Sequence, residues 1–198
     1  MQPFDLVDHG LILQKLKIYG LQEDFLQWVE CYLNNRHQAV WIDHIYSEFL
    51  HCKVGVPQGS ILGPLLFIIF FNDLPDNIEN SADCYADDTT VTASYKQIED
   101  IEVKLNEDCR SIGTWMQSNR LKLNAEKTHV LTMGTSARLS SIRKPLEIKL
   151  NGVTLEQDPL KTEKLLGCFV QGDLKWVKQV SNLISTLKKR LAGLCHLR

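Results

Sequence analysis

Leu11, Ile12, Leu16 and Ile18 recur at helical spacing near the start of the chain, with Asp8 where an N-cap belongs and Gly20 as a stop signal after the last of them. A second helix is expected from about 22 to 34. Beyond it, β-branched and aromatic residues gather in 38–42 and 45–54 on either side of a brief polar turn, which predicts a hairpin. Gly55-Val56-Pro57-Gln58-Gly59-Ser60 then reads as a loop. Ser60 caps the apolar helix that follows, and Pro64 falls in the first turn, where a missing N–H costs little. Asn72-Asp73-Leu74-Pro75 ends that helix, and 82–92 predicts strand, tight acidic turn and strand, centred on Tyr85-Ala86-Asp87-Asp88.

Farther along, Ile98, Ile101, Leu105, Cys109, Ile112, Trp115 and Met116 keep the 3.6-residue period and predict one long amphipathic helix over about 97–117. Strands are expected at 128–133 and 146–150, the second entering an Asn151-Gly152 turn and 153–155 as a hairpin. The breaker-rich stretch 136–144 predicts a loop, 165–170 a strand, and 176 to about 194 a last helix with Val180, Leu183, Leu187, Leu191 and Leu194 on one face. Helices interleaved with antiparallel hairpins predict an α+β fold in which helices pack on one side of a sheet.

Composition narrows the class. The chain has 198 residues, 44% hydrophobic and 23% charged, which excludes disordered and collagenous proteins. Its longest apolar run, 61–71, is about half of the ~20 residues a bilayer span needs, so a core helix is expected and no membrane. The first residues carry no basic stretch followed by an apolar one, so no secretion signal is expected. Six scattered cysteines without a Cys-x-x-Cys pair indicate neither a zinc site nor a disulfide framework; buried, reduced thiols are expected. The formal net charge of -2 argues against a nucleic-acid partner until it is divided along the chain. Residues 1–118 hold 7 basic and 18 acidic side chains; residues 119–198 hold 15 and 6.

Asp87 and Asp88, adjacent at the tip of an expected hairpin, are the first candidate chemistry. Like charges so placed repel, and a divalent cation would offset the repulsion while receiving the hard oxygen ligands that Mg²⁺ prefers. A solvated turn is the plainer account of the pair taken alone, since Asp is common in turns.

The surroundings reverse that balance. Residues 55–67 (GVPQGSILGPLLF), the apolar strand ahead of YADD, residues 119–128 (NRLKLNAEKT), and Leu165-Leu166-Gly167 with Trp176 resemble, in order and spacing, the reverse transcriptases of non-LTR retrotransposons, the LINE-like and jockey-like elements. Nearly the whole chain takes part. The resemblance implies a partial reverse transcriptase fold: a polymerase palm with a ferredoxin-like antiparallel sheet and packed helices over 1–163, then a primer-gripping hairpin and the start of a thumb over 164–198. It also implies RNA-directed DNA polymerase chemistry with an RNA template, a DNA primer and dNTPs, no stable protein partner, and an intracellular location, nuclear or cytoplasmic. Asp87 and Asp88 would be catalytic ligands of two Mg²⁺ ions, with Mn²⁺ as a substitute. Phe4 would be the aromatic gate that excludes a ribose 2′-hydroxyl, and Gln58 and Gly59 would lie under the incoming nucleotide and template base. Lys127 would stabilise or protonate the leaving pyrophosphate, although an exposed lysine before a strand is its plainer account. Leu166, Gly167 and Trp176 would hold primer and template. Lys175, Lys178, Lys188, Lys189 and Arg190 beyond them would meet phosphates or form a solvated face.

The sequence departs from the family pattern at one consequential place. The family has a catalytic aspartate, three variable residues, then Ala-Phe-Asp and Val-Asp-His. Phe4-Asp5-Leu6-Val7-Asp8-His9 matches the later part, so the first aspartate would fall before Met1. Asp5 follows the gate and is not that ligand. Pro3 stands where Ala is usual and removes a backbone N–H. Losing such a metal ligand removes on the order of several kcal/mol of transition-state stabilisation, so a truncated reverse transcriptase, inactive alone, is expected. A non-catalytic nucleic-acid-binding remnant of a retroelement is the alternative. A nuclease or phosphatase ranks last, because it would require more carboxylates or histidines around Asp87 and Asp88.

Overall fold

Asp8 accepts the Leu11 N–H at 3.0 Å and starts helix α1 (His9–Ile18), the role its position implies. The computed structural model describes residues 3–34, 36–142, 144–157 and 162–195. They divide into two compact units, 1–123 and 124–198.

In the first unit a 3₁₀ turn (Pro3–Leu6) precedes α1, and α2 (Glu23–Leu33) follows Gly20, whose φ of 86° ends α1. The expected hairpin forms in two rungs. Strands β2 (Trp41–Ile42) and β3 (Ile45–Tyr46) flank Asp43 and His44, both left-handed at φ 47° and 66°, and β1 (His37–Gln38) pairs with β4 (Leu50–His51) farther out. At the start of helix α3 (Leu62–Phe71) Ser60 Oγ accepts the Gly63 N–H at 2.9 Å, satisfying a first-turn donor from one residue ahead of the Ile61 cap position. Hairpin β5 (Ser81–Tyr85) and β6 (Asp88–Thr92) and the long α4 (Ile98–Ser118) complete the unit.

Its core is helical. Ile12 and Leu16 of α1, Val29 and Leu33 of α2, and Phe67 and Phe70 of α3 are at most 1% exposed, and Ile112 and Trp115 of α4 join them. Burial of this size in each apolar side chain contributes about 1.5–3 kcal/mol. Two polar residues are built into the packing. Lys15 lies 4.7 Å from both the Phe70 and Trp115 rings and donates to Phe70 O and Asp73 Oδ1, each at 2.6 Å, satisfying a carbonyl at the end of α3. Asp108 is buried in α4 and accepts the Glu79 N–H at 2.9 Å and the Asn80 side-chain amide at 2.7 Å.

The second unit contains β7 (His129–Val130), α5 (Ser136–Ser141), β8 (Lys149–Leu150), β9 (Val153–Thr154), β10 (Glu156–Gln157), β11 (Thr162–Leu165), β12 (Cys168–Gln171) and α6 (Val177–Cys195). Leu139, Ile148, Leu150 and Leu155 are buried in it. Asn151 and Gly152, at φ 51° and 81°, turn β8 into β9 as their sequence predicts.

Several expectations need correction. Residues 136–141 form a helix and not a loop, because Thr135 accepts the Arg138 N–H and Leu139 is buried. The strand expected over 165–170 is a hairpin: Leu166 and Gly167, at φ 46° and 86°, turn the chain between β11 and β12. The strands expected at 128–133 and 146–150 shrink to two residues each. The thiols are not buried as a group. Cys31, Cys84 and Cys168 are exposed, and Cys52 and Cys109 are half-buried; all five are free. Burial first, and Asp108 second, push the Cys109 thiol up to about 11.

Mixed helices and strands make the fold α+β. Among the described residues the strands form six two-stranded ladders, five antiparallel and the β7–β10 pair parallel, with no larger sheet. Among the described residues hairpin β5–β6 has no third strand; the segment before α1 is a 3₁₀ turn, and Asp8 beyond it forms an isolated bridge with Val54.

Two stability predictions follow from the buried polar contacts. Replacing Lys15 with alanine leaves Phe70 O and Asp73 without their donor and lowers the unfolding free energy by about 1–3 kcal/mol in denaturant titrations. Burial lowers the Lys15 pKa despite Asp73, so the unfolded chain holds that proton more tightly. Wild-type stability therefore gains a rising contribution as pH climbs from the lowered value to 10.5, and Lys15→Met lacks it. Burial alone would raise the Asp8 pKa, but the Leu11 N–H, the Arg120 guanidinium and the Gly10 N–H together lower it. Asp8→Ala should cost about 1 kcal/mol at neutral pH. That difference should shrink as pH falls below 3.8 through the lowered folded value.

Candidate functional site

Asp87 and Asp88 sit at the tip of the β5–β6 hairpin because Tyr85 pairs with Asp88 and leaves Ala86 and Asp87 as the two turn residues. Ala86 adopts φ 52° and Asp87 does not share a positive φ, so the first turn residue alone is left-handed, in a conformation that glycine adopts more easily than alanine. Ala82 and Val91, directly paired, pack on the core. Strand alternation then puts Asp83, Tyr85 and Asp88 on the opposite face. Asp87, Asp88 and Tyr85 are all exposed, and neither the Asp87 nor the Asp88 carboxylate has a hydrogen-bonding or ion-pairing partner among the described residues.

The 55–60 loop is held against residues 4–9. Gly55 N–H donates to Val7 O at 2.7 Å and Val56 N–H to Phe4 O at 2.9 Å. Gly55 has φ 87°, and a Cβ there would lie 2.9 Å from both the Cα and the carbonyl oxygen of Asp5. Only glycine allows that approach. Gly55 O accepts buried His9 Nε2 at 2.9 Å, which fixes the His9 tautomer with its proton on Nε2, and Arg36 at 3.3 Å. Phe4 stacks on Phe67 with ring centroids 4.2 Å apart and planes at 16°, so the proposed gate residue rests on the core helix.

Gln58 is exposed and donates through Nε2 to Asp5 Oδ1 at 2.7 Å. Gly59 has φ 75°, but a Cβ there would meet nothing within 4 Å, so the backbone demands glycine while the space above it stays open. The sequence alone gives no role to Asp5 or to Gly55. The glycine within GVPQGS was the available signal for a close backbone approach, but its partner residue was not readable.

The remaining candidates lie in the second unit. Lys127 is exposed in a 3₁₀ turn (Ala125–Lys127). Leu166 and Gly167 form the β11–β12 turn, with Leu166 exposed. Trp176 is half exposed at φ 59°, and its carbonyl accepts the Val180 N–H in the first turn of α6. Two side chains bind that helix to the hairpin: Gln179 Oε1 accepts the Phe169 N–H at 3.0 Å, and Gln171 Oε1 accepts the Lys178 N–H at 2.9 Å. Lys178 Nζ also lies 5.3 Å from the Phe169 ring centre. The structure thus brings Trp176 and the Leu166–Gly167 hairpin into one assembly, as it does Phe4 and the Gln58–Gly59 loop in the first unit.

Residues 1–180 match the family described as Reverse transcriptase (RNA-dependent DNA polymerase). The chain belongs to that family. The relatives that it resembles make it a reverse transcriptase domain of non-LTR retrotransposon type. A probable RNA-directed DNA polymerase from transposon BS of Drosophila melanogaster is 33% identical over 170 residues, covering 79% of this chain and 18% of that protein. The RNA-directed DNA polymerase from mobile element jockey of the same species is 28% identical over 204 residues, covering 99% of this chain and 21% of that protein. Its counterpart in Drosophila funebris is 27% identical over 198 residues. This reverse transcriptase domain therefore spans about a fifth of the length of the relatives it matches.

The two loop glycines should separate in mutagenesis. Gly55→Ala meets both an unfavourable φ and the Asp5 backbone and should cost about 3 kcal/mol or more, whereas Gly59→Ala meets only the unfavourable φ and should cost about 1–2 kcal/mol. Thermal midpoints of the two variants test the order; equal losses would contradict the close approach at Gly55.

Proposed function

We propose that the chain is the palm portion of an RNA-directed DNA polymerase, taking an RNA template, a DNA primer and dNTPs, with residues 164–198 as primer grip and first thumb segment. The observation that carries this reading is the exposed Asp87–Asp88 pair at a hairpin tip, two carboxylates without partners among the described residues in a chain of this family. Most surface carboxylates are simply hydrated. Here a left-handed Ala86 holds the pair at the apex of the turn.

The donor set fits Mg²⁺, which takes one or two carboxylates and completes its shell with water and phosphate oxygens. Asp87 and Asp88 would hold it, and when bound the ion neutralises charge on the reacting phosphates and the primer 3′-hydroxyl. Among the described residues no group of three or more His, Cys, Asp or Glu side chains comes together. Two metals sharing ligands need a further carboxylate, so the chain alone is read as catalytically incompetent. The rest of the reading assigns work to side chains: Phe4 excludes a ribose 2′-hydroxyl, Gln58 and Gly59 support the nucleotide, and Lys127 places positive charge near the pyrophosphate. Leu166, Gly167 and Trp176 position the primer, with Lys175 and Lys178 beside them for phosphates. The ferredoxin-like palm sheet belongs to this reading, with β5–β6 as two of its strands. An intracellular site of action, nuclear or cytoplasmic, goes with it, and no described helix is long and apolar enough to cross a membrane.

A non-catalytic nucleic-acid-binding remnant is the second reading, favoured by the small ligand set and the 15 basic side chains within residues 119–198. Calorimetry separates the two. The polymerase reading expects Mn²⁺ or Mg²⁺ binding in the presence of primer–template and dNTP, abolished by Asp87→Ala, with no primer extension by the chain alone. Metal binding unchanged in Asp87→Ala would overturn the dyad, and robust extension would overturn the incompetence.

A further inference from the structure

We infer that Asp108 is a positioning residue for the Asp87–Asp88 tip: its buried carboxylate on α4 holds the base of the β5–β6 hairpin and so sets where the tip stands. This rests on the reading of Asp87 and Asp88 as metal ligands. A carboxylate 3% exposed in a helix whose other buried residues are Ile112 and Trp115 needs a cause, since burying that charge is costly unless hydrogen bonds offset it. Both of its oxygens are used. Oδ1 accepts the Glu79 N–H at 2.9 Å and Oδ2 accepts Asn80 Nδ2 at 2.7 Å, and these two residues immediately precede β5. The other side of the Asn80 amide, Oδ1, accepts the Tyr95 hydroxyl at 2.9 Å, and Tyr95 lies just beyond the end of β6. One turn of α4 before Asp108, Lys104 Nζ donates to the Glu79 carboxylate at 2.9 Å. The entry to the hairpin and its exit are thus tied to each other and to one face of α4.

The hairpin depends on this tie more than a strand inside a larger sheet would. Among the described residues β5 and β6 pair only with each other, and a lone two-stranded hairpin is marginal in water. Ala82 and Val91 rest one face on the core near the base. The tip lies a strand length farther on, about 17 Å for five residues, so a tilt of about 10° at the base moves it by roughly 3 Å. That exceeds the ~2 Å length of a Mg²⁺–oxygen bond. The carboxylate also gives the hydrogen bonds a direction. An ionised Asp108 accepts only, so Asn80 turns its NH₂ to Asp108 and its oxygen to Tyr95, whose hydroxyl then donates. Asparagine at position 108 keeps the shape and reverses the chain. Its oxygen accepts the Glu79 N–H, its NH₂ donates to a flipped Asn80 amide, and the Tyr95 oxygen accepts. Alanine offers neither donor a partner. The role is one of shape, and asparagine restores what alanine removes.

The test compares Mn²⁺ binding by the full chain alone with Mn²⁺ binding in the presence of a primer–template duplex and a dNTP. Electron paramagnetic resonance of the free ion reads both, for wild type, Asp108→Ala, Asp108→Asn and Tyr95→Phe, with thermal midpoints and amide hydrogen exchange over 81–92 alongside. A purely structural role changes stability alone. A positioning role changes the gain in metal affinity that duplex and nucleotide confer, because the carboxylate pair stays intact and only its placement is lost. Asp108→Ala should bind Mn²⁺ alone as wild type does and lose about ten-fold of that gain. Tyr95→Phe should lose about two- to five-fold at an unchanged thermal midpoint, and Asp108→Asn should stay within about two-fold of wild type. Exchange of the hairpin amides should quicken in Asp108→Ala and Tyr95→Phe. Should Asp108→Ala fold poorly, the other two variants carry the test. The full wild-type gain in Tyr95→Phe, or a loss in Asp108→Asn as large as in Asp108→Ala, would overturn the positioning role while leaving the metal site standing. Wild-type Mn²⁺ binding that Asp87→Ala leaves unchanged would overturn the reading of the carboxylate pair and this inference with it.

Discussion

The close approach of the Asp5 backbone to Gly55 is the constraint on which the first unit's candidate site depends. A side chain at position 55 would occupy the space held by Asp5 Cα and its carbonyl, so the short segment 4–8 lies flat on the loop only because that loop has a glycine there. From this contact the rest follows in sequence. Two backbone hydrogen bonds lock the segment to the loop, His9 closes over Gly55 O, and Asp8 turns directly into the N-cap of α1. Arg120 reaches Asp8 from the end of α4 at 2.6 Å. One glycine thus ties Phe4, the 55–60 loop and two helices into a single arrangement.

The helix beneath this arrangement supplies the rigidity. Helix α3 is apolar on nearly every side; Phe67 and Phe70 are fully buried, while Leu65 and Ile68 are more than half exposed. A helix of that character cannot turn its apolar surface to water all round, so it is held in place by whatever it does bury. Phe67 serves two directions at once, packing into the core and supporting Phe4 from below. Lys15 closes the far end of α3 against α1. The hairpin with Asp87 and Asp88 has the opposite character: one face rests on the core through Ala82 and Val91, and the tip stands free in water. The hairpin proposed to hold a metal thus has packed support on one face and exposed carboxylates at its tip.

Much of this was legible in the sequence, for physical reasons that differ by element. The helix starts and stops were readable because they are local: Asp8, Gly20 and Ser60 act on backbone groups within three residues of themselves. The Asn151-Gly152 turn is readable because left-handed turn positions favour Asn and Gly, and the YADD turn because two acidic residues interrupt a strand pattern, even though its left-handed position is held by Ala86. The GVPQGS loop is singled out by its resemblance alone, and the left-handed backbone of Gly55 and Gly59 is a finding of the structure. What the sequence hid depends on partners distant along the chain. Asp5 and Gln58 are 53 residues apart, and Lys15 looks like an ordinary polar position until Phe70 and Trp115 close around it. The 136–141 helix was misread because Ser and Arg at a helix start look like loop residues unless the Thr135 cap and the buried Leu139 are seen together. The exposed thiols were misread because cysteine is usually buried, and a hairpin edge gives no such cover to Cys84 or Cys168.

On the proposed polymerase reading, the Asp87–Asp88 tip and the Gln58–Gly59 loop serve one bound nucleotide with its metal. Anomalous diffraction from crystals of the chain grown with Mn²⁺, a dNTP and a primer–template duplex tests that most directly. The predicted result is a manganese peak at the carboxylates of Asp87 and Asp88, with the triphosphate beside it and the nucleotide resting against Gln58 and Phe4. A manganese peak at other residues, or a nucleotide bound away from the 55–60 loop, would contradict it.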